Sequence, residues 1–312
     1  MVDAAVKVEL SNPGAIHQQY LSDGFVVVRN AIDPDKIDRF LSAYEKVKSN
    51  PWFVYYAQST HICVRPQLSE CGFIRESMQN ASRLAFFHEF STRFKDCIYD
   101  ENVAQALTDV DGHDQHVSWQ DMFFDRSTGT IEHQDSWYLD TEPPGNLIGV
   151  WYALEDIRRN SGPFFVCPGS HRIGVIDRGE HPTHDAFMAA VNRALDEDQF
   201  ERRPMLLDKG DILLWHPYLI HGAFDCVDES MSRKSFTSHF YPAALKAKDT
   251  ESHKRISIYD HSRPKATCCP RIQSAFRFND YLYNLLVYGL YLKNVAFPAK
   301  SPVSMRRSDY GA

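Results

Sequence analysis

No stretch of this 312-residue chain is apolar for long enough to cross a bilayer, the longest nearly apolar run being residues 281–292. Residues 1–12 lack a basic segment followed by an apolar one, so no secretory leader is expected. The seven cysteines lack metal-finger spacing, Cys268 and Cys269 are adjacent, and the total is odd. That excludes a regular disulfide framework and points to reduced thiols in the cytoplasm. Positive charge is in deficit: 34 Lys and Arg against 41 Asp and Glu leave a formal −7. A nucleic-acid binder working through a broadly basic surface is therefore not expected. Internal repeats and low-complexity segments are also absent. With 43% hydrophobic and 13% aromatic residues, the chain is no disordered tail and can bury a substantial core.

Three grains follow one another along the chain. First comes a strand, Phe25-Val26-Val27-Val28, after an Asp23-Gly24 turn. Asp33-Pro34 then reads as a helix start, with Ile37, Phe40, Leu41, Tyr44 and Val47 at helical spacing behind it. A second helix is expected over residues 82–99, with Leu84, Phe87, Phe90, Phe94 and Ile98 inward. From residue 117 to 242 the pattern is short strands, expected at 117–124, 130–135, 147–154, 164–167, 205–207, 211–215 and 236–241, between Gly and Pro turns. A helical insert over 183–198 interrupts them. Such a series suggests a sandwich or jelly roll. The last 52 residues carry eight Lys or Arg against two acids, so the other 260 hold about −13. An aromatic helix is expected there over 278–294. It reads either as a packing helix or dimer interface, or as a docking surface for an anionic handle.

Among fourteen histidines, only His133 has a carboxylate two residues on, Asp135. Residues i and i+2 of a strand share a face, so both side chains can reach one metal ion. The third ligand of a 2-His-1-carboxylate site would be His221, at the end of an apolar run and before Gly222, with His216 as its competitor. The two are five apart, an odd separation that puts them on opposite faces of a regular strand, although Pro217 lies between them. Twelve residues after His221 stands Arg233. A guanidinium fork grips a carboxylate through two charge-assisted bonds worth about 1.5–3 kcal/mol each. Ser235 adds a hydroxyl on the same face. A bland reading pairs Arg233 with Asp228 or Glu229 at the surface. His113 with His116, and His181 with His184, lie in polar sequence and read as solvated surface rather than metal pairs. His171 reads as a turn cap.

These motifs resemble the phytanoyl-CoA dioxygenase family of Fe(II)/2-oxoglutarate oxygenases. The likeness covers residues 15–242 and begins with Tyr20-Leu21-Ser22-Asp23-Gly24-Phe25-Val26-Val27-Val28. It continues through His133-Gln134-Asp135, Ser161-Gly162-Pro163, Pro168-Gly169-Ser170-His171, Gly210-Asp211 and His221-Gly222. The resemblance implies iron on His133, Asp135 and His221, with Arg233 on the distal carboxylate of 2-oxoglutarate and Trp151 beside the cosubstrate. Gln120 is a further candidate contact to 2-oxoglutarate, and Trp137 and Tyr138 are candidates for the substrate pocket. With O2 as second cosubstrate, the expected reaction hydroxylates an aliphatic C–H and turns 2-oxoglutarate into succinate. Desaturation, epimerisation and ring formation use the same ligands, whereas the presence of Asp135 disfavours halogenation. A cupin-like metalloprotein without 2-oxoglutarate, or a non-catalytic binding protein, are the alternatives from other classes.

The expected fold is mainly β with flanking helices, built on a double-stranded β-helix (jelly roll, cupin-like) core. It spans residues 1–260 as the catalytic domain, with 261–312 as a basic, aromatic helical extension. The expected partner is a small-molecule substrate, with a free molecule or one carrying an anionic or thioester handle both left open. Neither nucleic acid nor a transmembrane segment is expected. The C-terminal helix is a candidate homodimer contact, and the expected location is cytoplasmic.

Overall fold

A computed structural model describes residues 7–10, 12–249, 258–260, 265–266 and 269–297. The main sheet follows the order Lys7–Glu9, Phe25–Arg29, Ile212–Trp215, Ile148–Ala153, Ser235–Pro242, His116–Phe124, Met78–Gln79, Tyr55–Ala57 and Ile62–Val64. Its central pairings are antiparallel and join strands far apart in sequence, as a jelly roll requires. A short second sheet runs Arg203–Pro204, Phe164–Val166, His221–Ala223. Lys246–Asp249 pairs with Leu139–Glu142 in a third.

The apolar runs of the central strands serve two cores at once. Phe25, Val27, Trp151, Leu213 and Trp215 belong to the cluster inside the roll. Their neighbours Val26, Val28, Val150, Tyr152, Ile212 and Leu214 belong to the cluster on the other face. Successive side chains of a strand point to opposite faces, so a sheet covered on both sides needs near-continuous hydrophobic runs.

Helices cover that other face. Asp33 caps Pro34–Lys48 by accepting from Asp35 N at 2.9 Å, and Pro34 sits in the first turn, where no backbone donor is missed. Phe40 from this helix meets Phe90, Phe94, Phe123 and Phe236 with ring centroids 4.7–5.7 Å apart. The expected helix over 82–99 is two 3₁₀ turns, Ala81–Arg83 and Ala85–Phe87, followed by the helix His88–Ile98. Asn80 enters in the left-handed region (φ 54°), and Leu84 (ψ 63°) stands outside helical geometry, so the periodic apolar residues are carried by three pieces. The helix Glu101–Asp111, between the cap Asp100 and the left-handed Gly112, was not expected from sequence.

Two expected strands are corrected. Residues 130–135 are extended but unladdered, meeting the second sheet through an isolated bridge between His133 and His221 and then turning into the 3₁₀ segment Asp135–Trp137. The strand expected at 205–207 lies at Arg203–Pro204. The helical insert is His184–Glu197, capped by Thr183.

The segment after residue 260 joins the same body. Ile272–Ser274 pairs in parallel with His116–Phe124. Arg83, fully buried, lies 4.3 Å from the rings of both Phe276 and Tyr283 and pairs with Asp280 at 3.1 Å. This ties down the helix Asp280–Ala296, whose Leu282, Leu285, Leu292 and Val295 remain exposed.

Phe40 joins two helices to the sheet, so Phe40→Ala is expected to cost about 3–5 kcal/mol. A shift in the urea midpoint at unchanged m-value would measure it.

Candidate metal centre

Extended backbone at Gln134 (φ −106°, ψ 137°) sends the side chains of His133 and Asp135 to the same side. His221 arrives opposite His133 through two reciprocal backbone hydrogen bonds of 3.0 and 3.1 Å. The Nε2 atoms of both histidines lie 3.6 Å from Asp135 Oδ1. All three residues are buried, and their ligating atoms fall within 4.8 Å of one another. Each imidazole donates Nδ1–H to the carbonyl two residues before it, Ile131 O and Leu219 O, both at 2.9 Å. That tautomer leaves Nε2 with a lone pair for a metal. Burial, helped by His133, pushes His221 down to about 3, against the pull of Asp135. It is therefore neutral near pH 7, as a ligand must be. Burial alone would raise the Asp135 carboxyl. The interactions with His221, His239 and His133 outweigh it and hold the carboxyl well below the usual carboxylate range.

The second oxygen of Asp135 is also committed. Trp215 Nε1 donates to Oδ2 at 2.8 Å, and His239 Nε2 lies 3.3 Å from the same atom. Gly149 makes room for this. It pairs with Trp215 on one side and His239 on the other, and a Cβ there would stand 2.1 Å from the Trp215 ring. A Cβ on Gly222, next to His221, would likewise press to 2.7 Å on Thr130 O.

Beside the triad lies a cavity of about 60 Å³ walled by Phe124, Trp151, Phe164, Thr237 and Arg233. Arg233 is buried, with its guanidinium 5.1 Å from the Phe124 ring and 5.6 Å from Trp151. Nη1 donates to Ser235 Oγ at 3.2 Å, while Nε has no partner. Trp151 Nε1 is a second buried donor without a partner on the same cavity. The bland pairings do not occur: Glu229 pairs with Arg126, and Asp228 accepts from Ser230. Burial lowers the guanidinium to about 10, opposed by Glu155 and Cys226, so it stays cationic at neutral pH. Buried donors almost always have acceptors, so two orphans around one cavity call for an anion. The donor set and this cavity fit iron with 2-oxoglutarate.

A model of the family described as phytanoyl-CoA dioxygenase (PhyH) matches residues 20–235, more than two thirds of the chain. The chain belongs to the phytanoyl-CoA dioxygenase family. It is therefore an oxidoreductase of the dioxygenase type. Over 249 residues it is 24% identical to the peroxisomal phytanoyl-CoA dioxygenase of Bos taurus, covering 77% of this chain and 71% of that one. The Homo sapiens enzyme of the same description is 25% identical over 234 residues, covering 72% of this chain and 67% of that one. Among solved structures it resembles the epimerase SnoN, crystallised with Fe3+, alpha-ketoglutarate and nogalamycin RO. The TM-score is 0.60 at 15% identity, over 84% of this chain and 98% of that one. That likeness shows the shared fold.

The family fingerprint leaves several residues to be placed by the structure. His216 lies away from the triad, against Tyr20 and His171 at 6.0 and 5.6 Å. His171 meets Leu21 O at 3.1 Å. Gln120 does not line the Arg233 cavity: it accepts from Gln79 at 3.1 Å and donates to His239 Nδ1 at 3.2 Å. Trp137 and Tyr138 line an outer chamber of about 300 Å³ that opens on His133 and Asp135. Two histidines read as solvated surface are not. His116 is fully buried, 3.0 Å from Asp111, and His184 faces the outer chamber, 3.0 Å from the Tyr138 hydroxyl. No described helix is long and apolar enough to cross a membrane.

His239 was missed in the sequence. The signal was period two: Arg233, Ser235, Thr237 and His239 share one face, and Arg233, Thr237 and His239 reach the inner cavity. Because His239 orients a ligand carboxylate, His239→Ala is expected to weaken Fe(II) binding about 10- to 100-fold without unfolding the chain. An anaerobic competition titration against a chromophoric chelator would read this directly.

Proposed function

We propose that the protein is an Fe(II)/2-oxoglutarate-dependent dioxygenase that hydroxylates an aliphatic C–H of a small organic substrate, converting 2-oxoglutarate to succinate and CO2. The observation that carries this reading is the pair of orphan donors, Arg233 Nε and Trp151 Nε1, on the cavity that also holds His133, Asp135 and His221. The three ligands would hold the metal on one face and leave the rest of its sphere open. Arg233 would take the distal carboxylate of the cosubstrate, with Ser235 Oγ fixing the guanidinium and Trp151 closing the wall. Bound iron would supply the activation of O2. The chain's own part is to orient both partners and to exclude water by burying the triad in aromatic surroundings. Trp215 and His239 keep Asp135 ionised and turned toward the histidines, and Gln120 sets His239. Trp137 and Tyr138 would shape the substrate side.

A cupin-like metalloprotein without 2-oxoglutarate has no use for a buried, unneutralised guanidinium beside the metal, and this sets that alternative behind. A cytoplasmic location is part of the reading, supported by the six described cysteines, all free thiols.

Arg233→Ala removes the distal grip and leaves the ligands intact. The 2-oxoglutarate concentration for half-maximal succinate formation is expected to rise at least about 10-fold, with Fe(II) affinity unchanged. Wild-type dependence on 2-oxoglutarate in that variant would show the cosubstrate assignment to be wrong.

A further inference from the structure

The outer chamber carries one charged side chain besides the ligand Asp135, and that is Arg178. Its guanidinium carbon sits 4.2 Å over the ring of Trp137. Its Nη1 is shut off from solvent and has no hydrogen-bond partner among the described residues. The neighbouring acids do not neutralise it: Asp177 Oδ1 accepts from the backbone N–H of Gly179 at 2.7 Å, and Glu180 is exposed. A guanidinium nitrogen closed off without an acceptor is unfavourable, and stacking on an indole offsets only part of that.

Arg178 is also held in place relative to the metal ligands. Trp137 ends the 3₁₀ turn that begins at Asp135. Its Nε1 donates to His181 O at 2.9 Å, which ties the Arg178 loop to the turn. Its ring stacks on the buried Phe187 of helix His184–Glu197 at 4.8 Å and 17°. From there Tyr138 bridges to His133, with ring centroids 4.8 Å from Trp137 and 5.8 Å from His133. The rest of the chamber is set for a polar organic molecule. Gln58, Gln79 and Gln120 line it. Burial, with His133 adding to it, lowers His184 so that it is not a competing cation.

We propose that Arg178 is a specificity-determining residue: it receives a carboxylate of the substrate and thereby sets which C–H of that molecule faces the metal. This deepens the reading of the site as an iron oxygenase and rests on it. The substrate class is a small organic acid.

The test is binding of a matched panel, straight-chain acids from butanoate to decanoate and their primary amides, to the full-length apo-protein by calorimetry. Wild type is expected to bind at least one acid on the order of 10- to 100-fold tighter than its amide. Arg178→Gln should level the pair, and Arg178→Lys should restore part of the preference. A preference that survives in Arg178→Gln, or equal or absent binding of acid and amide throughout the panel, overturns the proposal. So does a preference lost in Arg233→Ala but kept in Arg178→Gln, because the acid then sits in the cosubstrate cavity. Failure of the iron reading is seen separately, as absence of Fe(II)-dependent succinate formation with the acid–amide preference intact.

Discussion

Two backbone hydrogen bonds between His133 and His221 hold the candidate centre together. They are 3.0 and 3.1 Å long and form an isolated antiparallel bridge between residues 88 apart in sequence. Residues opposite each other in such a pair present side chains to the same face. Here this brings the two rings to 4.3 Å between centroids. Asp135 then needs only the extended Gln134 to join them. Assembling the triad thus depends on the 130–135 segment docking on the edge of the second sheet, where the strand His221–Ala223 supplies the third ligand.

The electrostatics follow from where this places the charges. A buried carboxylate and a buried guanidinium stand around one cavity without pairing with each other. Asp135 is kept ionised by imidazoles and by the indole of Trp215, and Arg233 is kept cationic with an unpaired nitrogen. Neither arrangement favours the empty fold; each leaves capacity for something bound. The same pattern recurs more mildly in the outer chamber, where Arg178 stacks on Trp137 and lacks an anion. His133 and Asp135 line both chambers, with Arg233 in the inner one and Arg178 in the outer. That arrangement suits two acidic small molecules meeting at a metal.

Much of this was legible in the sequence. His133, Asp135, His221 and Arg233 were candidates from spacing, residue type and the family resemblance, and the fold gathers them on one cavity. The central strands were legible because both faces are buried and the apolar runs are continuous. The residues that support the ligands were not. Gly149 matters because Trp215 crosses above it, a contact set by strand register. His239 hides in a strand whose every residue is buried. The 130–135 segment alternates like a strand but touches His221–Ala223 only at Thr130 and His133, three residues apart against two on its partner, so no regular ladder forms, which periodicity cannot reveal. The helix Glu101–Asp111 did leave a signal, Asp100 before it and Gly112 after it, that local reading could have used. Over residues 82–99 helical spacing survived although Asn80 and Leu84 break the helix, since 3₁₀ and α turns place every third or fourth residue alike.

In the proposed function one cavity binds a metal on the triad and a 2-oxoacid against Arg233. An anaerobic titration of the apo-protein with Fe(II) and then 2-oxoglutarate tests it most directly, by watching for the visible metal-to-ligand charge-transfer band. A band is expected in wild type and is lost in His133→Ala. Iron binding without a band would contradict the cosubstrate site, and no iron binding at all would contradict the metal centre itself.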